Sequence, residues 1–600
     1  HAQGVSASNG MTTIYDSSLS QPAGYWNGGI IHFTPGQGWV AYSATVSASG
    51  PGWVTFNYNP SSSWEAAASG MAYYLTGKFQ ALDSAGEWYR DPTTAQLFVW
   101  PPEGDSPAAH LVEAKHRPYA FDLSGVSNVT VRGVNIFAAT INTNGNSNNI
   151  VLDHINAQYL SQFVVQPDGW NPPKNSGIVL NGNNDLLENS QIAYSSGDGV
   201  YVGGTACRVT NCVIHDVDYN AGDAAGIRVF GPWNTIDHNT IYNTGRDGIG
   251  QFGWSTHIDY NTIHDALLQT TDGGGIYTFR SDGYGGEIAF NRIYNIQSAG
   301  FGGVGVYLDD DSSYYLVHHN ITWNVAAGMK VNSSAKGDQI YNNTLDATEF
   351  SIAKNWAASD WSGTYIENNI LTHPIEWGEM NATIQYNLNS GVNPAFSNPS
   401  AGDYSLQWYS PAINAGQVIA PYTNGYSGAM PDEGALEYAQ PAFSSGASLS
   451  RMPPAPAWPP PTAASAVPPP APAVGPAANS VIRALNYDAA SQGVAASYGG
   501  VGYLYNGYWV EYQYVNFGAG VSSIQMDIAV PAPYDGKKLE LHVDGANGPL
   551  VGTVTARPTS SWSDYKVQST NVNLVTGVHD LYFVIVGDWG FGNIDWFQFA

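Results

Sequence analysis

The sequence predicts an all-β chain: a right-handed parallel β-helix, an N-terminal β-rich unit packed on it, and a C-terminal β-sandwich (jelly-roll) module. Three observations predict it. First, a unit apolar-x-x-Asn-x-apolar recurs, as Ile236-Asp237-His238-Asn239-Thr240-Ile241, Ile258-Asp259-Tyr260-Asn261-Thr262-Ile263 and Ile288-Ala289-Phe290-Asn291-Arg292-Ile293. It returns at Asn320, Asn343 and Asn369, so successive asparagines lie 22, 30, 29, 23 and 26 residues apart. A spacing of about 20–30 residues marks a solenoid. Second, another short strand recurs between these units: Gly199-Val200-Tyr201-Val202, Gly226-Ile227-Arg228-Val229, Gly275-Ile276-Tyr277-Thr278 and Gly305-Val306-Tyr307-Leu308. No helical periodicity separates them, so each turn holds at least two strands. Stacked rungs about 4.8 Å apart then place the asparagines as an amide ladder at one corner. Third, glycine is abundant (67 residues), aromatics reach 13% and charged residues only 11%, the balance of a turn-rich β protein.

Six hundred residues suffice for three or four domains. Residues 1–125 lack the repeat but alternate like strands, as in Trp53-Val54-Thr55-Phe56-Asn57-Tyr58. The β-helix is expected over 126–440. Residues 441–479 form a Pro/Ala-rich linker; eleven of the chain's 35 prolines fall between 453 and 476. Such a string is extended and semi-rigid. Residues 480–600 return to strands, such as Lys538-Leu539-Glu540-Leu541-His542-Val543.

The net charge of −28 disfavours nucleic acid, anionic membranes and polyanionic glycans, and leaves neutral polysaccharide compatible. No apolar run approaches a membrane span. The start at His1-Ala2-Gln3-Gly4, without Met or a signal peptide, fits a mature end after signal removal or an arbitrary boundary. A secreted, monomeric protein is expected. Cys207 and Cys212 are the only cysteines. They are read as two buried thiols, with a local disulfide as the alternative. Their spacing offers no zinc site.

In the last domain, Val501-Gly502-Tyr503-Leu504-Tyr505-Asn506-Gly507-Tyr508-Trp509, Thr559-Ser560-Ser561-Trp562 and Asn593-Ile594-Asp595-Trp596-Phe597 resemble family 6 carbohydrate-binding modules. The resemblance implies that Tyr503 and Trp562 sandwich a sugar ring and that Asn593 bonds its hydroxyls. Aromatic faces and one orienting polar group suit that role. The family's opening Ile-Glu-Ala-Glu, which supplies structural calcium ligands, is here Ile482-Arg483-Ala484-Leu485. No cofactor is required, and a structural calcium is in doubt because both acids are missing. Trp589-Gly590 marks a second contact surface.

Upstream, Leu82-Asp83-Ser84-Ala85-Gly86-Glu87-Trp88-Tyr89-Arg90-Asp91 and Leu97-Phe98-Val99-Trp100-Pro101-Pro102 resemble a signature preceding many bacterial β-helix glycoside hydrolases, nearest to the α-L-fucosidase/xylanase type. Glu87 and Asp91 are taken as structural. Aligning rungs on the strand-opening glycine sends Val200, Ile227, Ile249, Ile276, Val306 and Met329 inward. Outward go Tyr201, Arg228, Gly250, Tyr277, Tyr307 and Lys330, and two residues on Gly203, Phe230, Phe252, Phe279, Asp309 and Asn332.

Glycoside hydrolysis needs a carboxylic acid and a second carboxylate as base or nucleophile. The run Asp309-Asp310-Asp311 is costly without a use. Asp309 and Asp310 are therefore the leading catalytic candidates, with Asp272 as partner and Asp282 next. Asp272 and Asp309 lie at opposite ends of their strands. Asp223, Arg228, Tyr277, Tyr307 and Lys330 are expected to bind substrate, with Gly273-Gly274-Gly275 leaving room for it. No catalytic metal is expected. His318 and His319 are read as structural. Two alternatives remain: a polysaccharide lyase with Lys330, Arg228 or Tyr307 as base, and a non-catalytic glycan-binding adhesin.

Overall fold

A computed structural model describes the chain except residues 61, 103, 105, 107–111, 174–175, 297, 299–301, 334, 355–359, 377–380, 450–475, 492 and 588–589. The proline string and Trp589 thus lie outside the described residues. The chain divides into two compact units, His1–Thr462 and Ala463–Ala600.

The body of the first unit is a β-helix of three parallel sheets, with eleven, ten and ten strands. The eleven-stranded sheet runs from Thr130–Arg132 to Thr383–Gln385, and the second from Asn135–Phe137 to Ile370–Leu371. The third, here called the groove sheet, runs from Tyr119–Asp122 to Phe350–Ala353. Each rung therefore carries three strands. The Asn unit is not one strand: His238 takes φ 54°, Tyr260 56°, Phe290 55° and His319 52°, and each left-handed residue turns the chain between two sheets. Ile236 and Ile241 belong to different sheets, yet both point inward and are fully buried.

The asparagines form the expected ladder. Asn239 Nδ2 donates to Asn261 Oδ1 at 3.0 Å, and the chain of bonds continues through Asn291, Asn320, Asn343 and Asn369 to Asn387. Each of these Oδ1 atoms also accepts the backbone N–H of the preceding asparagine, as Asn261 Oδ1 does from Asn239 at 2.9 Å. Buried amides are thereby paired, where an orphaned one would cost about 1–3 kcal/mol. Between the corners, Val200, Ile227, Ile249, Ile276, Val306 and Met329 align one above another in the core. Truncating one such isoleucine to alanine costs about 2–5 kcal/mol. Cys207 and Cys212 are free, buried thiols, and burial pushes the Cys207 thiol up to about 12.

Six antiparallel strands, Gly4–Ser8 through Ala72–Thr76, form the N-terminal sheet around Ile14, Phe33, Val54 and Phe56. Its loops bond to the helix: Ala41 N–H to Ala221 O at 2.7 Å, and Thr271 N–H to Gly38 O at 3.0 Å. Glu87 Oε2 caps the turn at Asp83 and Ser84, and Asp91 Oδ1 accepts from Thr93 N–H, both local structural roles.

The second unit holds nine antiparallel-paired strands in one sheet system. Two 21-residue strands, Trp509–Ala529 and Lys566–Val586, pair through several register shifts. Tyr512, Phe583, Phe597 and Phe599 fill its core.

Candidate active site

The groove sheet delivers its outward residues in strict register: Tyr201, Arg228, Gly250, Tyr277, Tyr307 and Lys330 lie side by side on successive strands. One further column pairs Phe279 with Asp309. These outward side chains are nonetheless mostly buried, because the face forms the floor of a walled cavity of about 840 Å³. Trp39 and Trp64 of the N-terminal unit and Trp170 of a rung loop supply its walls. The Trp170 indole N–H donates to Glu65, and Asp223 N–H donates to Gly169 O at 2.8 Å, which fixes the wall to the floor. Asp223, Asp272, Asp309 and Asp310 all face this space, with Tyr277 and Tyr307 between them.

A buried arginine organises the acids. Arg246 is fully buried; its Nη1 bonds Asp223 at 2.9 Å and Asp247 at 2.7 Å, and its Nη2 bonds Asp272 at 3.1 Å. Burial works against its charge, but Asp247, Asp223, Tyr277 and Asp272 outweigh burial and raise its pKa well above the usual range. Asp223 is shared with Arg228, whose guanidinium lies over Phe230 and Phe252 at 5.1 and 5.5 Å. Arg228 thus acts beneath the cavity, holding Asp223 in place.

Asp272 and Asp309 sit in contrasting surroundings. Burial raises the Asp272 pKa; Arg246 opposes the rise and the nearby Asp309 charge adds to it. Asp309 is surrounded by donors: the Tyr277 hydroxyl at 2.9 Å, Asn332 Nδ2 at 2.6 Å and the Tyr307 hydroxyl. Tyr277 spans the two, with its ring 4.6 Å from the Arg246 guanidinium that holds Asp272 and its hydroxyl on Asp309. Although the acids start from opposite strand ends, their side chains converge on one cavity. Asp310 faces it too, held by Arg280 and Ser333 at 2.9 Å each. Asp311 points to solvent. Lys330 is buried with its Nζ 4.8 Å over the Tyr307 ring; burial lowers its pKa, against the pull of Asp272 and Asp309.

Asp282 is not in this cavity. The strand ends at Phe279, Arg280 takes φ 47°, and the chain turns the corner. Asp282 lies in an adjoining opening with Trp254 and Tyr284, and accepts the Tyr284 hydroxyl. The glycine run does not make room for substrate either. A Cβ on Gly273 would meet Asp247 Oδ1 at 2.2 Å, and one on Gly275 would meet Ile293 Cγ2 at 2.4 Å. These glycines admit the protein's own atoms. A smaller opening of about 440 Å³ near Phe121 and Ile136 has Glu113 as its single carboxylate, so it lacks an acid pair.

In the second unit, Tyr503 is exposed at φ 57° and the half-buried Trp562 packs edge-on to Tyr534 at 4.9 Å. Asn593 departs from the expected role. It is buried, and its Nδ2 donates to Trp562 O at 2.9 Å, so the amide supports the tryptophan loop. A calcium site at the expected place does not fit. Arg483 pairs there with Asp595, putting a guanidinium where acids would be needed.

Residues 484–600 match the carbohydrate binding module (family 6), and residues 176–371 match the right handed beta helix region. The chain is 36% identical over 100 residues to endo-1,4-beta-xylanase A of Thermoclostridium stercorarium, covering 17% of this chain and 14% of that relative. It is 35% identical over 101 residues to arabinoxylan arabinofuranohydrolase of Bacillus subtilis (strain 168), covering 16% and 19%. The chain therefore spans less than a fifth of the length of these curated relatives. A crystal structure of a family 6 carbohydrate-binding module from Clostridium cellulolyticum in complex with xylose is 34% identical. It covers 21% of this chain and 98% of that one, at a TM-score of 0.20. The chain thus carries a family 6 carbohydrate-binding module behind a right-handed β-helix.

Proposed function

We propose that this carbohydrate-active chain is a secreted glycoside hydrolase that cleaves a neutral polysaccharide or its oligosaccharides, with Asp272 as general acid and Asp309 as base or nucleophile. The carrying observation is that these two carboxyl groups share one aromatic-walled cavity in contrasting surroundings. A buried acid with a raised pKa keeps its proton for the leaving oxygen. The three donors around Asp309 fix its orientation. Trp39, Trp64 and Trp170 offer flat faces for sugar rings.

The relatives' names point to xylan-type glycans as the first substrates to try. The separation of the two carboxyl groups decides the stereochemical outcome: about 5–5.5 Å suits retention and about 6.5–9.5 Å inversion. The test is reducing-sugar release from neutral glycans by the wild type, Asp272→Asn and Asp309→Asn. Activity lost in both variants, with folding intact, is expected. Wild-type release left unchanged by both substitutions contradicts the assignment.

A further inference from the structure

Away from the cavity, the eleven-stranded sheet gathers four metal-capable side chains around one small residue. His257 lies beside Glu287, Asp259 beside Ala289, and Ala289 beside His318 on three adjacent strands. Their neighbours Ile258, Ile288 and Val317 point into the core, so all four project outward. Ala289 adds only a methyl to the outward face between Asp259 and His318.

The donor atoms already converge. His257 Nδ1 is 3.1 Å from Glu287 Oε2 and 3.8 Å from Asp259 Oδ2. One donor atom each from His257, Asp259 and Glu287 lie within 4.8 Å of one another. A point roughly 2.8 Å or less from all three therefore exists, needing only a small contraction to reach zinc bonds of about 2.0–2.2 Å. Two further features mark the place as built. Asp259 Oδ1 is buried without a hydrogen-bond partner, a costly state that a cation relieves. His318 Nε2 bonds Glu287 Oε1 at 2.6 Å, which orients the carboxylate and leaves Oε2 to His257.

We propose that His257, Asp259 and Glu287 form a binding site for a divalent cation of the zinc type, with His318 positioning Glu287. The imidazole ligand favours zinc over the oxygen-preferring calcium. The two carboxylates balance its charge. Three protein ligands leave a fourth position to solvent. The site clamps two rungs of a sheet that does not line the cavity, so its role is stabilisation.

The test uses the full chain, stripped with EDTA, desalted and titrated calorimetrically with zinc chloride near neutral pH. The expected result is one equivalent per chain and a higher unfolding midpoint with zinc. Asp259→Asn, which keeps the side-chain volume, and His257→Ala should each weaken binding at least about tenfold, with unchanged circular dichroism. Millimolar calcium should leave the zinc isotherm unchanged. Absence of zinc binding, full binding by both variants, or displacement by calcium overturns the proposal.

Discussion

Replacing Asp272 with asparagine separates the acid's role from that of its partner. The substitution preserves size, and Arg246 keeps its bonds to Asp223 and Asp247 at 2.9 and 2.7 Å. The buried guanidinium is therefore not left alone, and folding should survive. What disappears is the proton for the leaving group. General acid catalysis contributes about 10²–10⁴-fold, which is ~2.7–5.4 kcal/mol of barrier at 1.36 kcal/mol per factor of ten. Turnover of a natural glycan should fall by that factor. An aryl glycoside whose phenolate leaves unaided should lose far less, whereas Asp309→Asn should fail on both. The pH profile adds a second check. Activity needs protonated Asp272, so the wild-type rate should fall as pH rises through its raised pKa, and Asp272→Asn should lose that alkaline limb. The assay is kcat/KM against pH on both substrate types. Equal losses on both in Asp272→Asn, with the alkaline limb retained, refute the assignment.

Other consequences are open to measurement. Arg246→Met would leave three carboxylates around an uncharged side chain and should cost at least about 3–5 kcal/mol in denaturant unfolding, as removal of one partner from a buried ion network does. Asp198 and Asp247 are pushed up to about 7 by burial, and Glu433 likewise. Their folded pKa values exceed the unfolded ones, so the stability they contribute is full below about pH 4 and is lost as pH rises toward 7. The unfolding temperature of the first unit should accordingly be higher near pH 5 than near pH 8. Residues 463–600, a compact unit, should bind an insoluble glycan alone and in EDTA, and Trp562→Ala should abolish that binding. Asn593→Ala should weaken binding and also lower the module's melting temperature, because its amide holds the Trp562 loop.

The core columns and the amide ladder are legible because each rung repeats the same inward alternation, and an asparagine at each corner is chemically distinctive. The three-strand rung is not, because the Asn unit reads as one alternating run and its corner falls on mixed residue types, His238, Tyr260, Phe290 and His319. Asp309, Asp310, Asp272, Asp223, Tyr277 and Tyr307 are reachable from register alone, and one cavity collects all six. Arg246 escapes register because it stands in the turn before the strand Asp247–Gln251, outside the alternating pattern. The tryptophan walls escape for another reason. Trp39 and Trp64 arrive from loops of the N-terminal unit and Trp170 from a rung loop, contacts that no local spacing encodes. Asp282 misleads because alternation is extrapolated past Arg280, where the backbone leaves the strand. In the module, Arg483 stands where the family has an acid, and its pairing with Asp595 is the physical reason that a cation does not fit there.

The central claim, hydrolysis by a carboxyl pair at the floor of the groove sheet, is tested most directly by following products from a xylan-type glycan by proton NMR. The account predicts saturated reducing sugars, formed by the wild type and by neither Asp272→Asn nor Asp309→Asn. Products bearing a new carbon–carbon double bond, formed by both Asp variants and lost in Lys330→Ala, would contradict it.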